Sequence, residues 1–231
     1  MVAIPWLPED EIWFPPPEQA LREPDGLLAA GGDLSPARLL QAYRQGIFPW
    51  FSDGEPILWW SPEPRCVIYP AQQHISRSLK RRLRKQDYQV RYDTAFAAVM
   101  SACAEPRGDG AGTWITAEMR AAYQRLHQLG HAHSVEIWRQ GRLIGGLYGI
   151  AIGRIFFGES MFSAEPNGSK LAITHLCQRL HQQGYYLLDC QVYSDHLASL
   201  GAVCISRPVF LDALNRGAAP TIQDYWYRQQ N

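Results

Sequence analysis

The sequence predicts an α+β protein whose first 65 residues differ in character from the rest of the chain. Three observations predict it. A length of 231 residues suits one large domain or two small ones. The first 65 residues are rich in Pro, Gly and Trp and hold one clear helical pattern. Near residue 134 the apolar period changes from 3.6 to 2, and the order from there is β-β-β-α-β-α-β.

Each element has its own signal. Ser35 is an N-cap with Pro36 at the first helical position, Leu39, Leu40 and Tyr43 share a face, and Gly46 stops the helix. A second helix is expected over 76–86, with Ile75, Leu79 and Leu83 as its buried stripe. A third begins at Asp93 with Phe96, Val99, Met100 and Cys103 inward. The run Arg107-Gly-Asp-Gly-Ala-Gly112 reads as a loop, and a fourth helix runs from Thr116 to Gly130. Strands follow at 134–139, 142–152 and 155–161, joined by turns at Gln140-Gly141 and Gly153-Arg154. A helix over 169–182 ends at Gly184, and Tyr185–Val192 is a buried strand. Ser194 caps a short helix to Leu200, Val203–Ser206 is a strand, and Pro208–Arg216 is the last helix. A meander followed by α-β-α-β is the element order of the GCN5-related N-acetyltransferase (acyl-CoA N-acyltransferase) fold, which by itself assigns no function.

Composition narrows the function. Lys+Arg and Asp+Glu are 22 each, which excludes a histone-like polycation. The balance is uneven along the chain: residues 1–60 carry a net charge of −6, and residues 74–91 carry +6. Arg77, Lys80, Arg81, Arg82, Arg84 and Lys85 crowd the second helix, a pattern that fits either a nucleic-acid backbone or a solvated face. Eight Trp and nearby aromatic pairs such as Trp59-Trp60 offer faces on which bases stack. The longest uncharged central stretch, Leu143–Gly153, is eleven residues, against the ~20 a spanning helix needs. The N-terminus lacks a signal-peptide pattern. Five scattered cysteines without a C-x-x-C pair point to a reducing cytoplasm rather than a disulfide framework or zinc site. His131 and His133 lack an evident third ligand, so no metal is expected.

In acetyltransferases of this fold, a glycine-rich loop before the helix holds the coenzyme A pyrophosphate on backbone N–H groups. Here the loop is Ser163-Ala-Glu-Pro-Asn-Gly-Ser169, in which Pro166 removes a donor and Glu165 repels phosphate. A different acyl donor is expected.

Several blocks resemble the bacterial leucyl/phenylalanyl-tRNA–protein transferases. They are Phe14-Pro-Pro-Pro-Glu18, Glu23-Pro-Asp-Gly-Leu-Leu-Ala-Ala-Gly-Gly-Asp-Leu-Ser-Pro-Ala-Arg-Leu-Leu40, Gly46-Ile-Phe-Pro-Trp-Phe51 and Ile57-Leu-Trp-Trp-Ser-Pro62. Gly112-Thr-Trp-Ile-Thr116, Gly158-Glu-Ser-Met-Phe-Ser163, Leu188-Asp-Cys-Gln191 and Asp195-His-Leu-Ala-Ser-Leu-Gly201 continue the series. The resemblance spans about residues 14 to 216. It implies transfer of Leu, Phe or Met from aminoacyl-tRNA to proteins with N-terminal Arg or Lys, marking them for degradation by the N-end rule. It implies a small N-terminal domain over residues 1–65 packed on an acyltransferase-like catalytic domain over residues 66–231, no cofactor, a monomer, and a cytoplasmic setting.

That reaction needs little chemistry from the enzyme. The ester is already activated, and an α-amine of pKa ~7.7–8.0 is partly neutral at pH 7. Orientation, removal of one proton and oxyanion stabilisation remain to be supplied. Asp189 and Gln191 stand two apart on a predicted strand and so should share a face. By resemblance they form the active centre, with Asp189 orienting the Gln191 amide and Glu159 binding the acceptor's N-terminal cation. On the residues alone, Asp189 is equally a buried acid satisfied by hydrogen bonds. The resemblance also assigns the aminoacyl pocket to Leu147, Phe156, Met161, Ile173, Leu176, Leu180 and Leu188, and the tRNA 3′-adenosine to Trp50 and Trp114. Two alternatives stay open at this point: a coenzyme A-dependent N-acyltransferase and a non-catalytic tRNA-binding module.

Overall fold

A computed structural model describes residues 4–105, 114–217 and 226. The expected loop over 107–112 lies outside the described residues. The chain forms two sheets. The smaller is built from β1 (Trp6–Leu7), β2 (Leu27–Gly31), β3 (Phe48–Pro49) and β4 (Leu58–Trp60), in the order β1-β2-β4-β3. Between β2 and β3 lies α1 (Pro36–Arg44), where the Ser35 side chain accepts from the Arg38 N–H and Pro36 opens the first turn, as its sequence requires. Gly46, at φ 74°, turns the chain out of α1.

The larger sheet has seven strands. They are β5 (Arg65–Ile68), β6 (Gln89–Tyr92), β7 (Ala132–Arg139), β8 (Arg142–Ile152), β9 (Ile155–Ser163), β10 (Leu187–Gln191) and β11 (Val203–Ile205). Their order is β11-β5-β10-β9-β8-β7-β6. Every neighbouring pair is antiparallel except β9 and β10. The helices are α2 (Arg77–Arg84), α3 (Phe96–Ala104), α4 (Ala117–Gln128), α5 (Gly168–Gln182), α6 (Asp195–Ala198) and α7 (Arg207–Gly217). From residue 132 onward the predicted order is observed: a meander, a helical crossover to a parallel strand, then α-β and a closing helix. The fold class is α+β, with a mixed seven-stranded large sheet beside the small one.

The sequence pattern did not announce β1–β6. These strands are short, and β5 and β6 join the sheet only through partners distant in sequence: β5 wedges between β10 and β11, and β6 extends the edge beside β7. The third helix also starts later than its period suggests. Asp93 sits at φ 59°, and the buried Glu136 carboxylate accepts from the N–H groups of Thr94 (2.9 Å) and Ala95 (2.7 Å) and from the Thr94 hydroxyl. An acid reaching in from β7 thus satisfies the amides ahead of α3.

Period-two alternation divides the core into two faces. Tyr148, Ile150 and Ile152 of β8 join one apolar cluster with α3, α4, α7 and the small sheet. Leu147 and Ala151 join the other with α5 and Leu79 of α2. The close seating of α5 depends on two glycines. A Cβ on Gly145 would stand 2.4 Å from the Gly168 backbone, a distance that neither chain can relieve alone. Gly145→Ala is therefore expected to destabilise the fold by about 1–3 kcal/mol, read as a lowered denaturant midpoint at unchanged m.

The one parallel pair in the large sheet is short. β9 and β10 pair only from Ile155↔Leu187 to Phe157↔Asp189, yet β9 continues to Ser163. Beyond Phe157 the sheet is split, and a cleft opens there.

Candidate active site

The cleft has a volume of about 950 Å³. Leu147, Met161, Ile173, Leu176 and Leu188 form an apolar wall, while Trp114, Tyr148 and Glu159 border it from the α3 and α4 side. Five of the seven expected pocket residues therefore line it. Phe156 and Leu180 do not; both are fully buried behind the wall, with Phe156 against the Trp226 ring at 5.5 Å.

Glu159 enters the cleft through a β-bulge. Gly149 pairs with Gly158 and Tyr148 with Ser160, so Glu159 is an extra residue on β9. Its Oε1 accepts from Gln191 Nε2 at 2.8 Å and its Oε2 from the Tyr123 hydroxyl at 3.0 Å. The Tyr123 hydroxyl in turn shares a hydrogen bond with that of Tyr43 on α1. Burial pushes the Glu159 carboxyl up to about 7, helped by the Asp189 charge and opposed by the Tyr43, Tyr123 and Gln191 hydrogen bonds. Burial, and then the Glu159 charge, hold both tyrosines well above the ordinary phenol value, so they remain donors.

Asp189 and Gln191 do not share a face by simple alternation. Pairing with β5 slips between them, from Asp189↔Val67 to Gln191↔Cys66, and Gln191 adopts φ 63°. The amide of Gln191 is held by Glu159 and not by Asp189. Asp189 is fully buried in a two-point ion pair with Arg65: Nε donates to Oδ1 at 2.9 Å and Nη2 to Oδ2 at 2.7 Å. Its contact with Gln191 is to the backbone N–H, at 2.9 Å. The open alternative for Asp189, a buried acid satisfied by donors, describes its surroundings.

The remaining expected residues are dispersed. Trp114 borders the cleft. Trp50 stands outside its lining, 48% exposed, with its ring 5.6 Å from that of Trp60. On α2, Leu79 is buried and Arg77, Lys80, Arg81 and Arg84 are exposed. Lys85 follows the helix, also exposed. The helix is shorter than expected because Gln86 leaves it at φ 47°. Arg82 differs from its neighbours: it pairs with Asp87 and lies 5.1 Å from the Tyr88 ring centroid. α2 packs on α5, whose Ser169, Ile173 and Leu176 also line the cleft.

Four residues that sequence reasoning left out belong here: Arg65, Tyr43, Tyr123 and Tyr148. The tyrosines were indistinguishable from core by period. Arg65 had a signal, as a charge heading the apolar run Cys66-Val-Ile just as Asp189 ends another.

At the start of α5 the N–H groups of Gly168 and Ser169 are already engaged. The Ser169 N–H donates to Ser163 Oγ at 2.8 Å, the Gly168 N–H to the Glu165 carbonyl at 3.0 Å, and Glu165 pairs with Arg139. His133 is buried against Asp93 (3.0 Å) and stacked on Trp226 (4.4 Å). Among the described residues, no group of three His, Cys, Asp or Glu is disposed to hold a metal ion. No helix among them is long and apolar enough to cross a membrane.

Residues 67–215 match the family model described as leucyl/phenylalanyl-tRNA protein transferase, and residues 32–63 match that of its N-terminal domain. A leucyl/phenylalanyl-tRNA–protein transferase of Chromohalobacter salexigens is 58% identical over 224 residues, 96% of this chain and 88% of that one. Those of Chromobacterium violaceum and Nitrosomonas europaea are 56% and 61% identical, covering 99% and 93% of this chain and 99% and 91% of theirs. Among solved structures, L-PGS from Bacillus licheniformis aligns with a TM-score of 0.46 at 12% identity, over 82% of this chain and 72% of that one.

Proposed function

The chain belongs to the leucyl/phenylalanyl-tRNA–protein transferase family, and from that membership we propose that its cleft joins the aminoacyl group of Leu-, Phe- or Met-tRNA to the α-amino group of a protein beginning with Arg or Lys. The product is a protein with one more residue, marked for degradation, and a deacylated tRNA. The observation that carries this reading is the Glu159 carboxyl, held by Gln191 and Tyr123 beside an apolar wall, with a pKa near 7.

The amine nitrogen attacks the ester carbonyl carbon, the tetrahedral oxyanion collapses, and the bond to the ribose oxygen of the terminal adenosine breaks. One proton leaves nitrogen and one is required by the departing oxygen. Glu159 is matched to both tasks, because a carboxyl near 7 takes a proton from an amine and returns it without a large uphill step in either direction. Gln191 keeps its carbonyl oxygen to accept an N–H of the incoming neutral amine while its amide nitrogen holds Glu159. It is a positioner, since an amide oxygen is a weak base. Asp189 reaches the reaction only through what it holds in place.

The acyl side chain lies against Leu147, Met161, Ile173, Leu176 and Leu188. Unbranched Cβ positions, as in Leu, Phe and Met, enter such a slot, whereas Ile and Val widen at its mouth. Each mismatched methyl is worth about 1–3 kcal/mol there. Trp114 in the wall and exposed Trp50 are the faces we assign to the terminal adenosine, and the cations of α2 follow the tRNA backbone. We take the chain to divide near residue 65 into a small domain and a catalytic domain, to act as a monomer in the cytoplasm where charged tRNA is made, and to need no cofactor.

The test combines the protein, Leu-tRNA labelled in its leucine, and two peptides that differ only in starting with Arg or Ala. Label is expected to enter the Arg peptide alone. Equal labelling of both, or of neither, rejects the reading.

A further inference from the structure

We propose that Arg65 is a positioning residue for the reaction, aiming the Gln191 side chain through the Asp189 carboxylate; this rests on the reaction proposed above. Gln191 is a side-chain-bearing residue at φ 63°, a left-handed conformation that needs a partner to hold it. The partner is Asp189 Oδ1, which accepts the Gln191 N–H at 2.9 Å. The same oxygen accepts Arg65 Nε at 2.9 Å, and Oδ2 accepts Nη2 at 2.7 Å. With both oxygens pinned by one planar fork, the carboxylate has a single orientation. In that orientation the backbone of residue 191 turns back, and its amide meets Glu159 at 2.8 Å.

The fork is itself held from outside the large sheet. Arg65 Nη1 donates to the Gly46 carbonyl at 3.1 Å, and the guanidinium lies 4.9 Å from the Phe48 ring and 4.5 Å from the Phe210 ring. Residues between α1 and β3, and the last helix, thereby fix a side chain of β5 that fixes the catalytic bulge of β10. A lysine has no planar fork and does not satisfy both carboxylate oxygens and the Gly46 carbonyl in one plane.

Buried ion pairs contribute little to stability compared with a well-packed apolar pair, so a structural and a positioning role separate experimentally. The test compares full-length wild type, Arg65→Met/Asp189→Leu and Arg65→Lys in transfer from Leu-tRNA to the Arg-starting peptide. For the double variant, a melting temperature close to that of wild type is expected. Its kcat should fall about 100-fold, with KM for aminoacyl-tRNA within about threefold. The acid limb of the Arg65→Lys profile should move upward, because Asp189 keeps its charge while Glu159 loses the Gln191 amide. Arg65→Lys should fall between the two. A double variant that turns over within about threefold of wild type overturns the proposal. So does a loss of kcat in both variants that only tracks a loss of folded protein, with the pH profile unmoved. An inactive wild type overturns the parent reading, and active wild type beside equally active variants overturns this inference alone.

Discussion

Glu159→Gln is expected to lower kcat for peptide transfer by about 10²–10⁴-fold and to remove the part of the pH–rate rise that belongs to the carboxyl, leaving the rise set by the α-amine at ~7.7–8.0. The wild-type profile should climb as the carboxyl loses its proton near pH 7, since only the carboxylate takes a proton from the amine. The variant keeps the shape of the side chain and an acceptor for Gln191 Nε2, so its loss is chemical. Stability should move in the opposite direction. The carboxyl binds its proton more tightly in the folded protein, at about 7, than at its ordinary 4.5. Its favourable contribution is present below about 4.5 and lost as pH rises through about 7. The variant should therefore melt higher than wild type at pH 8, with the difference fading toward pH 4. Activity that stays within about threefold of wild type across the pH range removes Glu159 from the proton path.

Reversing Lys80, Arg81 and Arg84 to Glu should weaken tRNA binding at least about 100-fold at low salt and flatten the salt dependence by about two to three units of slope. These three, with Arg77, recur at helical spacing on the exposed side of α2, opposite buried Leu79. The set is chosen without Arg82, whose charge is already matched by Asp87. Folding should be untouched, because no ion pair among the described residues involves any of the three. An unchanged salt slope in filter binding would identify α2 as a solvated face.

The legibility of this chain followed the range of the forces involved. Local signals were reliable: Ser35-Pro36, Thr116 and Ser194 cap their helices as expected, because a cap is decided within four residues. The meander was legible because its partners are joined by tight turns. β5 was not, since its register comes from β10 and β11 more than a hundred residues away. The site divides in the same way. Asp189 stood out because an acid in an apolar run is costly without partners. The arrangement around it was not legible, because period two cannot foresee a bulge, and the bulge turns Gln191 toward Glu159. Phe156 and Leu180 carry the apolar pattern of wall residues, and pattern alone does not tell the wall of a cleft from the core behind it.

The inserted position at Glu159 uncouples the acid from the register of its strand. Gly158 faces Gly149 and Ser160 faces Tyr148 on either side of it, so removing residue 159 would bring these pairs into regular opposition to β8 while Met161 stays opposite Leu147 in the wall of the cleft. A chain shortened by that one residue should therefore keep its strand pairing and lose only the carboxyl and the bend that presents it.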